Sequence, residues 1–442
     1  MKSRFGICDA TARIYAFIIT AIAIMAFAAI PGGATFAQMT GSAIATTPQP
    51  QLIDQTGAEP SANSILLMVT RGLTASDIDL SDTRLMAALQ TAHVANMRTN
   101  TAAQTMDPLE SGKVLAPLFD ASDVVDLGSI TTDPADEQHA AQVANVLATF
   151  LNTLDGLNTA EYEHIVLAST ADATTAARLQ FVATWYTDSN QSGMLGSTAT
   201  HTDGLIGLED LNHVPSAAFS TGFGALHEVP TENIDAAIRL LQQQQRHAET
   251  AALASPWWFT FYGVTALIGV LATLAHFLRR PAPPGEPRGG PTFIWRNLAW
   301  WNTVVFALIP SAILMNLIPW WNYPLARITP FAISLLIAIV ITALMSQTDH
   351  PASMVGALTL FLVGADVVAG KGWANDSVLG PLTMTFRRFY GVTNRMYIIL
   401  IVAGLLTVLP WLMTQRSQPR NAARGILGIG AIVLALDALT QL

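Results

Sequence analysis

The chain has 442 residues, 51% hydrophobic and only 12% charged, with a net charge of −9. The acids and bases are segregated: residues 38–256 hold 25 Asp and Glu against 7 Lys and Arg, while residues 257–442 hold 5 against 12. So acidic a first half excludes nucleic acid as its partner, because phosphates need a basic face; it fits solubility outside a cell, divalent cations or a cationic partner.

Residues 1–37 read as an export signal. Lys2, Arg4 and Arg13 supply positive charge, residues 14–30 are apolar, and Pro31-Gly32-Gly33 breaks the run. Thr35-Phe36-Ala37 is a cleavage triplet; an uncleaved signal anchor is the alternative. The single cysteine, Cys8, precedes the apolar run, so it is no lipid-attachment site and the chain can form no internal disulfide. Residues 38–63 are rich in Thr, Gln, Pro and Ala and read as a disordered tether.

A folded domain is expected over 64–254. Residues 65–70 (ILLMVT) form a buried-strand pattern, 80–89 have helical spacing, and 92–98 (AHVANMR) read as a second strand. Val143, Val146, Leu147, Phe150, Leu151 and Leu154 line one face of a helix over 137–154. Strands follow at 164–168 and 179–186, then a loop and short helix over 207–222. A last amphipathic helix over 231–253 takes Thr231 as its N-cap, and Ser255-Pro256 is expected to kink its exit. Strands alternating with helices predict an α/β sandwich.

Residues 257–278 (WWFTFYGVTALIGVLATLAHFL) contain no Asp, Glu, Lys or Arg, over the roughly 20 residues that cross a hydrocarbon core. A tryptophan pair opens the stretch and Arg279-Arg280 close it, as in an oriented span. Five further spans are expected at 297–318, 326–345, 352–368, 396–413 and 425–439. The loop 279–296 carries four arginines and the loop 414–424 three. Placing both in the cytoplasm leaves the N-terminal domain and the C-terminus outside. Asp366 and Asp437 fall in apolar surroundings, where a carboxylate faces the bundle interior or an interface. Asn302 and Asn316 are expected to hydrogen-bond between helices.

Residues 65–99, ILLMVTRGLTASDIDLSDTRLMAALQTAHVANMRT, resemble the opening strand, loop and nucleophile-bearing helix of the alkaline phosphatase/sulfatase superfamily, particularly its bacterial membrane-bound relatives. Residues 197–222, STATHTDGLIGLEDLNHVPSAAFSTG, are similar to its late segment, where a ligand-bearing loop leads to a strand and an Asp-Leu pair. Residues 387–394, RRFYGVTN, look like a loop of polytopic membrane proteins that carry such a domain. The resemblance implies an alkaline-phosphatase-like mixed sheet with helices on both faces, followed here by an all-α six-span transmembrane bundle over 257–442. It also implies two divalent metals held by Asp and His, which activate an oxygen nucleophile.

This chain departs from that pattern. The opening Asp falls at Thr70 or Arg71, and the later Asp-His pair at Ser169-Thr170-Ala171-Asp172. Asp172, His201 and His213 are weak remnant ligand candidates, and the nucleophile position is shared among Thr99, Thr101 and Thr105. With most ligands missing the metal centre should not assemble. The expected function is therefore a non-catalytic outer domain of a multi-pass bacterial plasma-membrane protein, acting in binding or scaffolding, with no resident metal or other cofactor. The alternatives are a lipid- or glycan-directed phosphotransferase or hydrolase, and a transporter or flippase. The expected partner is the lipid bilayer. At an external basic and aromatic loop the arginines are expected to pair with the acidic domain, to hold a lipid or glycan phosphate, or to form an ordinary snorkelling belt at the interface. Lys371, Arg387, Arg388, Tyr390 and Asn394 mark that loop.

Overall fold

The structure, a computed structural model, describes residues 65–98, 123–157, 162–170, 178–186, 192–197, 202–207, 226–278, 293–369, 377–380 and 394–414, with Thr200 and Asp210. These residues fall into two compact units that divide between Thr250 and Ala251.

In the first unit nine strands form one mixed sheet. They are β1 Ile65–Arg71, β2 Ala92–Arg98, β3 Asp123–Ser129, β4 His164–Ser169, β5 Gln180–Tyr186, β6 Gly193–Ser197, β7 Thr202–Asp203, β8 Leu205–Gly207 and β9 Leu226–Val229. The order is β3-β1-β4-β5-β2-β6-β7, with β8 beside β2 and β9 beside β6. Strand β1 is parallel to β3 and β4, β5 is antiparallel to β4 and β2, and β6 and β8 are parallel to β2. Six strands thus point the same way, and their carboxyl ends share one rim.

The buried strands β1 and β4 are unbroken apolar runs because they are covered on both faces. The edge strand β3 (DVVDLGS) is partly exposed, so its two aspartates sit comfortably in solvent and its sequence resembles a loop.

Three helices cover one face. Helix α1 (Thr83–Leu89) starts later than its hydrophobic spacing predicts, because Asp82 caps it by accepting from the Arg84 and Leu85 amides. Helix α2 (His139–Gly156) lays Val143, Val146, Leu147, Phe150 and Leu151 on the sheet. The first turns of α3 (Ile234–Leu278) add Ile234, Ala237, Ile238 and Leu241. On the opposite face, the described core consists of strand residues alone, among them Leu67, Val69, Met97, Val166 and Val182. Helices on both faces were expected; among the described residues they occupy one.

Helix α3 differs from expectation in its cap and in its length. Asn233, not Thr231, caps it, its side-chain oxygen accepting from the Ala236 amide at 2.8 Å. Pro256 lies inside the helix, so the expected amphipathic helix and the apolar stretch after it form one continuous element.

The second unit contains the rest of α3 with α4 (Phe293–Leu314), α5 (Thr329–Met345), α6 (Pro351–Ala369) and α7 (Asn394–Thr414). Trp258 is buried, stacks on Tyr262 and donates its indole N–H to Ser334 Oγ at 3.2 Å. Asn302 donates to Thr273 Oγ1 at 3.2 Å, an interhelical bond as expected. Asn316 behaves differently, accepting from the nearby Trp320 indole at 3.0 Å. Asp366 is buried at 6% exposure.

Among the described residues, two helical stretches, Ile234–Ala275 and Arg296–Leu317, are long and apolar enough to cross a membrane. The apolar runs in Thr329–Met345, Pro351–Asp366 and Ile398–Val408 are shorter. Of the expected six-span bundle, the described residues show an α-helical unit with two candidate spans. The expected sixth span and Asp437 lie outside the described residues.

Candidate functional site

In α/β sheets ligands bind beyond the carboxyl ends of the strands, near the point where strand order reverses. Here β1 is followed by β2 on one side and β3 on the other, so the carboxyl ends of β1, β3 and β4 mark that point. This is also where the resemblance places metal ligands.

Among the described residues, the ends of β1, β4 and β5 carry buried neutral side chains that bond to each other or to nearby backbone. Thr70, wholly buried at the end of β1, donates its hydroxyl to the Gly128 carbonyl at 2.8 Å. Its own carbonyl accepts from the Thr170 amide at 2.9 Å. On β4, the buried Ser169 hydroxyl donates to Gln180 Oε1 at 2.6 Å and accepts from the Leu73 amide at 3.0 Å. The Gln180 amide group donates in turn to the Arg178 carbonyl at 3.2 Å. The Leu73 carbonyl takes the Phe181 amide at 2.9 Å, closing the loop after β1 onto β5.

This arrangement has a clear chemical consequence. Hard divalent cations are held by carboxylates and oriented carbonyls, but the Ser169 proton and lone pair are both committed inside the network. Arg71 follows Thr70, and its carbonyl accepts from the Ile130 amide at 2.8 Å.

Two charged residues that the sequence reading passed over lie at the same end of the sheet. Arg98, 5% exposed, ends β2 and is in register with Gly207 of β8. Asp210, 2% exposed, accepts from the Gly207 amide at 2.8 Å. Burying either charge is expensive without compensation. The available signal was Asp210 within the quoted Asp-Leu pair; Arg98 read as the polar end of a strand.

A second polar cluster lies toward the opposite rim. The rings of His93 and His164 meet Tyr186 edge-on, at centroid distances of 5.4 and 4.9 Å. His93 Nε2 is 3.4 Å from Glu228, and His164 Nε2 is 3.6 Å from Glu163. Burial pushes the Tyr186 phenol above its ordinary range, against a lowering hydrogen bond with Thr184; Glu228 adds to the rise. Separately, His139 at the start of α2 contacts Asp77 Oδ1 at 2.9 Å through Nε2 and the Thr132 carbonyl at 3.1 Å through Nδ1. Asp77 Oδ2 accepts from the Thr74 amide and hydroxyl, so this group ties two loops to a helix.

Among the described residues, no three His, Cys, Asp or Glu side chains are grouped to hold a metal ion. Asp172, His201, His213, Thr99, Thr101 and Thr105 lie outside the described residues, as do Lys371, Arg387, Arg388 and Tyr390. Asn394 is the first residue of α7.

No protein-family model matches the chain, and no curated protein or solved structure is significantly similar to it. The described fold defines a mixed α/β unit joined to an apolar helical one. Its two candidate spans are compatible with membrane association.

Proposed function

We propose that this chain is a multi-pass envelope membrane protein whose outer α/β domain descends from a phosphatase-like ancestor and acts by binding or scaffolding, not by hydrolysis. One observation carries the reading: where that ancestry calls for metal-binding acids, the buried neutral side chain of Thr70 bonds to the Gly128 carbonyl, and that of Ser169 bonds to Gln180 and the Leu73 amide. A catalytic cation there would have to displace bonds that join β1, β4 and β5. The excess of arginines in loops 279–296 and 414–424 supports an outer location for the acidic domain.

The test uses purified full-length protein in detergent. Elemental analysis is combined with assays on p-nitrophenyl phosphate, bis-p-nitrophenyl phosphate and p-nitrophenyl sulfate, each with added Mg, Mn or Zn. The expected result is no stoichiometric metal and no turnover above the buffer rate. Metal-dependent turnover that Asp172→Ala or His201→Ala abolishes would replace this proposal with the phosphotransferase or hydrolase reading.

A further inference from the structure

The connector between α4 and α5, residues 317–328, is anchored on one side and apolar on the other. Trp320 is fully buried, with its indole N–H on Asn316 Oδ1. The Asn322 and Tyr323 amides donate to the Pro319 and Trp320 carbonyls, both at 3.1 Å. Against this fixed side, Leu317, Tyr323, Leu325 and Ile328 are 66%, 50%, 73% and 52% exposed. Four large apolar side chains on twelve residues of chain are turned away from the protein.

Leu325 shows that this outward display is built in. With φ at 62°, it is the one non-glycine residue with positive φ among the described residues. Leucine is disfavoured there because its Cβ crowds the following carbonyl. The conformation is held because the Leu325 carbonyl accepts from the Ile328 and Thr329 amides, at 2.9 and 3.0 Å, and so starts α5. The Thr329 hydroxyl closes the turn onto the Pro324 carbonyl at 2.6 Å. The same geometry that begins the helix presents the leucine outward.

The position of the connector identifies what it meets. The Arg327 guanidinium lies 5.8 Å from the ring centroid of Trp257, the first residue of the apolar part of α3. The connector is therefore level with one end of that stretch, which further along exposes Val264, Leu267, Ile268, Leu271 and Leu274. Arg327 is the only charged residue between 317 and 328. Aromatics, one cation and aliphatic tips at the end of an apolar helix match a headgroup layer, where Trp and Tyr rings settle and Arg meets phosphate.

We infer that residues 317–328 are a membrane-interface insert. Leu317, Tyr323, Leu325 and Ile328 enter the headgroup and upper acyl layer of the bilayer, and Arg327, braced on Trp257, meets the lipid phosphates. The inference rests on the membrane reading given above and deepens it by naming the surface and its depth.

Full-length protein carrying Cys8→Ser receives one cysteine at a time, as Leu325→Cys, Ile328→Cys, Leu271→Cys or Asp136→Cys. Each variant is nitroxide-labelled and placed in phosphatidylcholine–phosphatidylglycerol nanodiscs. Spin relaxation by oxygen is compared with relaxation by a water-soluble nickel chelate. Leu325→Cys and Ile328→Cys are expected to report a depth between the water-exposed Asp136→Cys and the deep Leu271→Cys. Ile328, at φ −110°, tests the site without a strained backbone. If Leu271→Cys lies deep while both connector labels match Asp136→Cys, the insert is disproved and the membrane reading survives. Connector labels shielded from both reagents would mean that protein covers the surface, and also disprove it. A Leu271→Cys label open to nickel would overturn the membrane reading and the insert together.

Discussion

Ser169 is the residue on which the neutral rim turns, since one hydroxyl serves the Leu73 amide and Gln180 Oε1 at once. Ser169→Ala strands both groups in a buried site and is expected to lower stability by about 2–3 kcal/mol, read from urea unfolding of the full-length protein in detergent. A chelator, by contrast, is expected to leave the melting temperature unchanged if no metal supports this rim. His247 lies in the polar part of α3, among Gln245, Arg246 and Glu249 and ahead of the apolar stretch. It is partly buried, and desolvation lowers its pKa from 6.5 to about 4. Because its folded value is depressed, stability is complete above 6.5 and declines as pH falls from 6.5 towards 4, when the unfolded chain takes up the proton first. The effect is at most about 3 kcal/mol. His247→Gln is expected to flatten that part of the stability–pH curve, measured by thermal unfolding across the window.

Elements are decided by caps and close contacts more than by propensity. Thr231 and Asn233 are both reasonable cap residues in sequence, but only Asn233 bonds to the first turn of α3. Asn233→Ala is expected to cost about 1 kcal/mol, and Thr231→Ala less than about 0.5 kcal/mol, which paired melting curves would separate. In the second unit α6 meets α7 closely at Gly356, where an added Cβ would lie 2.6 Å from the Ala403 carbonyl and 2.7 Å from Thr407 Oγ1. Small residues allow such approach between apolar helices. Gly356→Ala is expected to force the pair apart and destabilise it by about 1–3 kcal/mol, seen as an earlier thermal transition in detergent. The strands show a similar division. Residues 65–70 and 164–168 were legible because burial on both faces makes unbroken apolar runs. The exposed edge β3 carries Asp123 and Asp126 and has no such signature.

At the scale of the molecule, an acidic α/β unit precedes an apolar helical one, and that order was visible in the separation of charges along the chain. Periodicity and composition report how each segment is solvated, so they located the change from water-facing to apolar chain, along with β1, β2, β4, β5 and α2. They carry no record of which distant segments bond to each other. Leu73 and Ser169 stand 96 positions apart, and Thr70 and Gly128 stand 58 apart; only the strand order brings them together. The same holds for the outward turn of Leu325, which follows from how α5 begins and leaves no mark in hydropathy. The sequence by itself determined where the chain turns from polar to apolar, because hydropathy is a property of each segment. Only the tertiary structure decided that Thr70 bonds to Gly128 and that Ser169 bonds to Leu73 and Gln180, because those bonds exist only between segments.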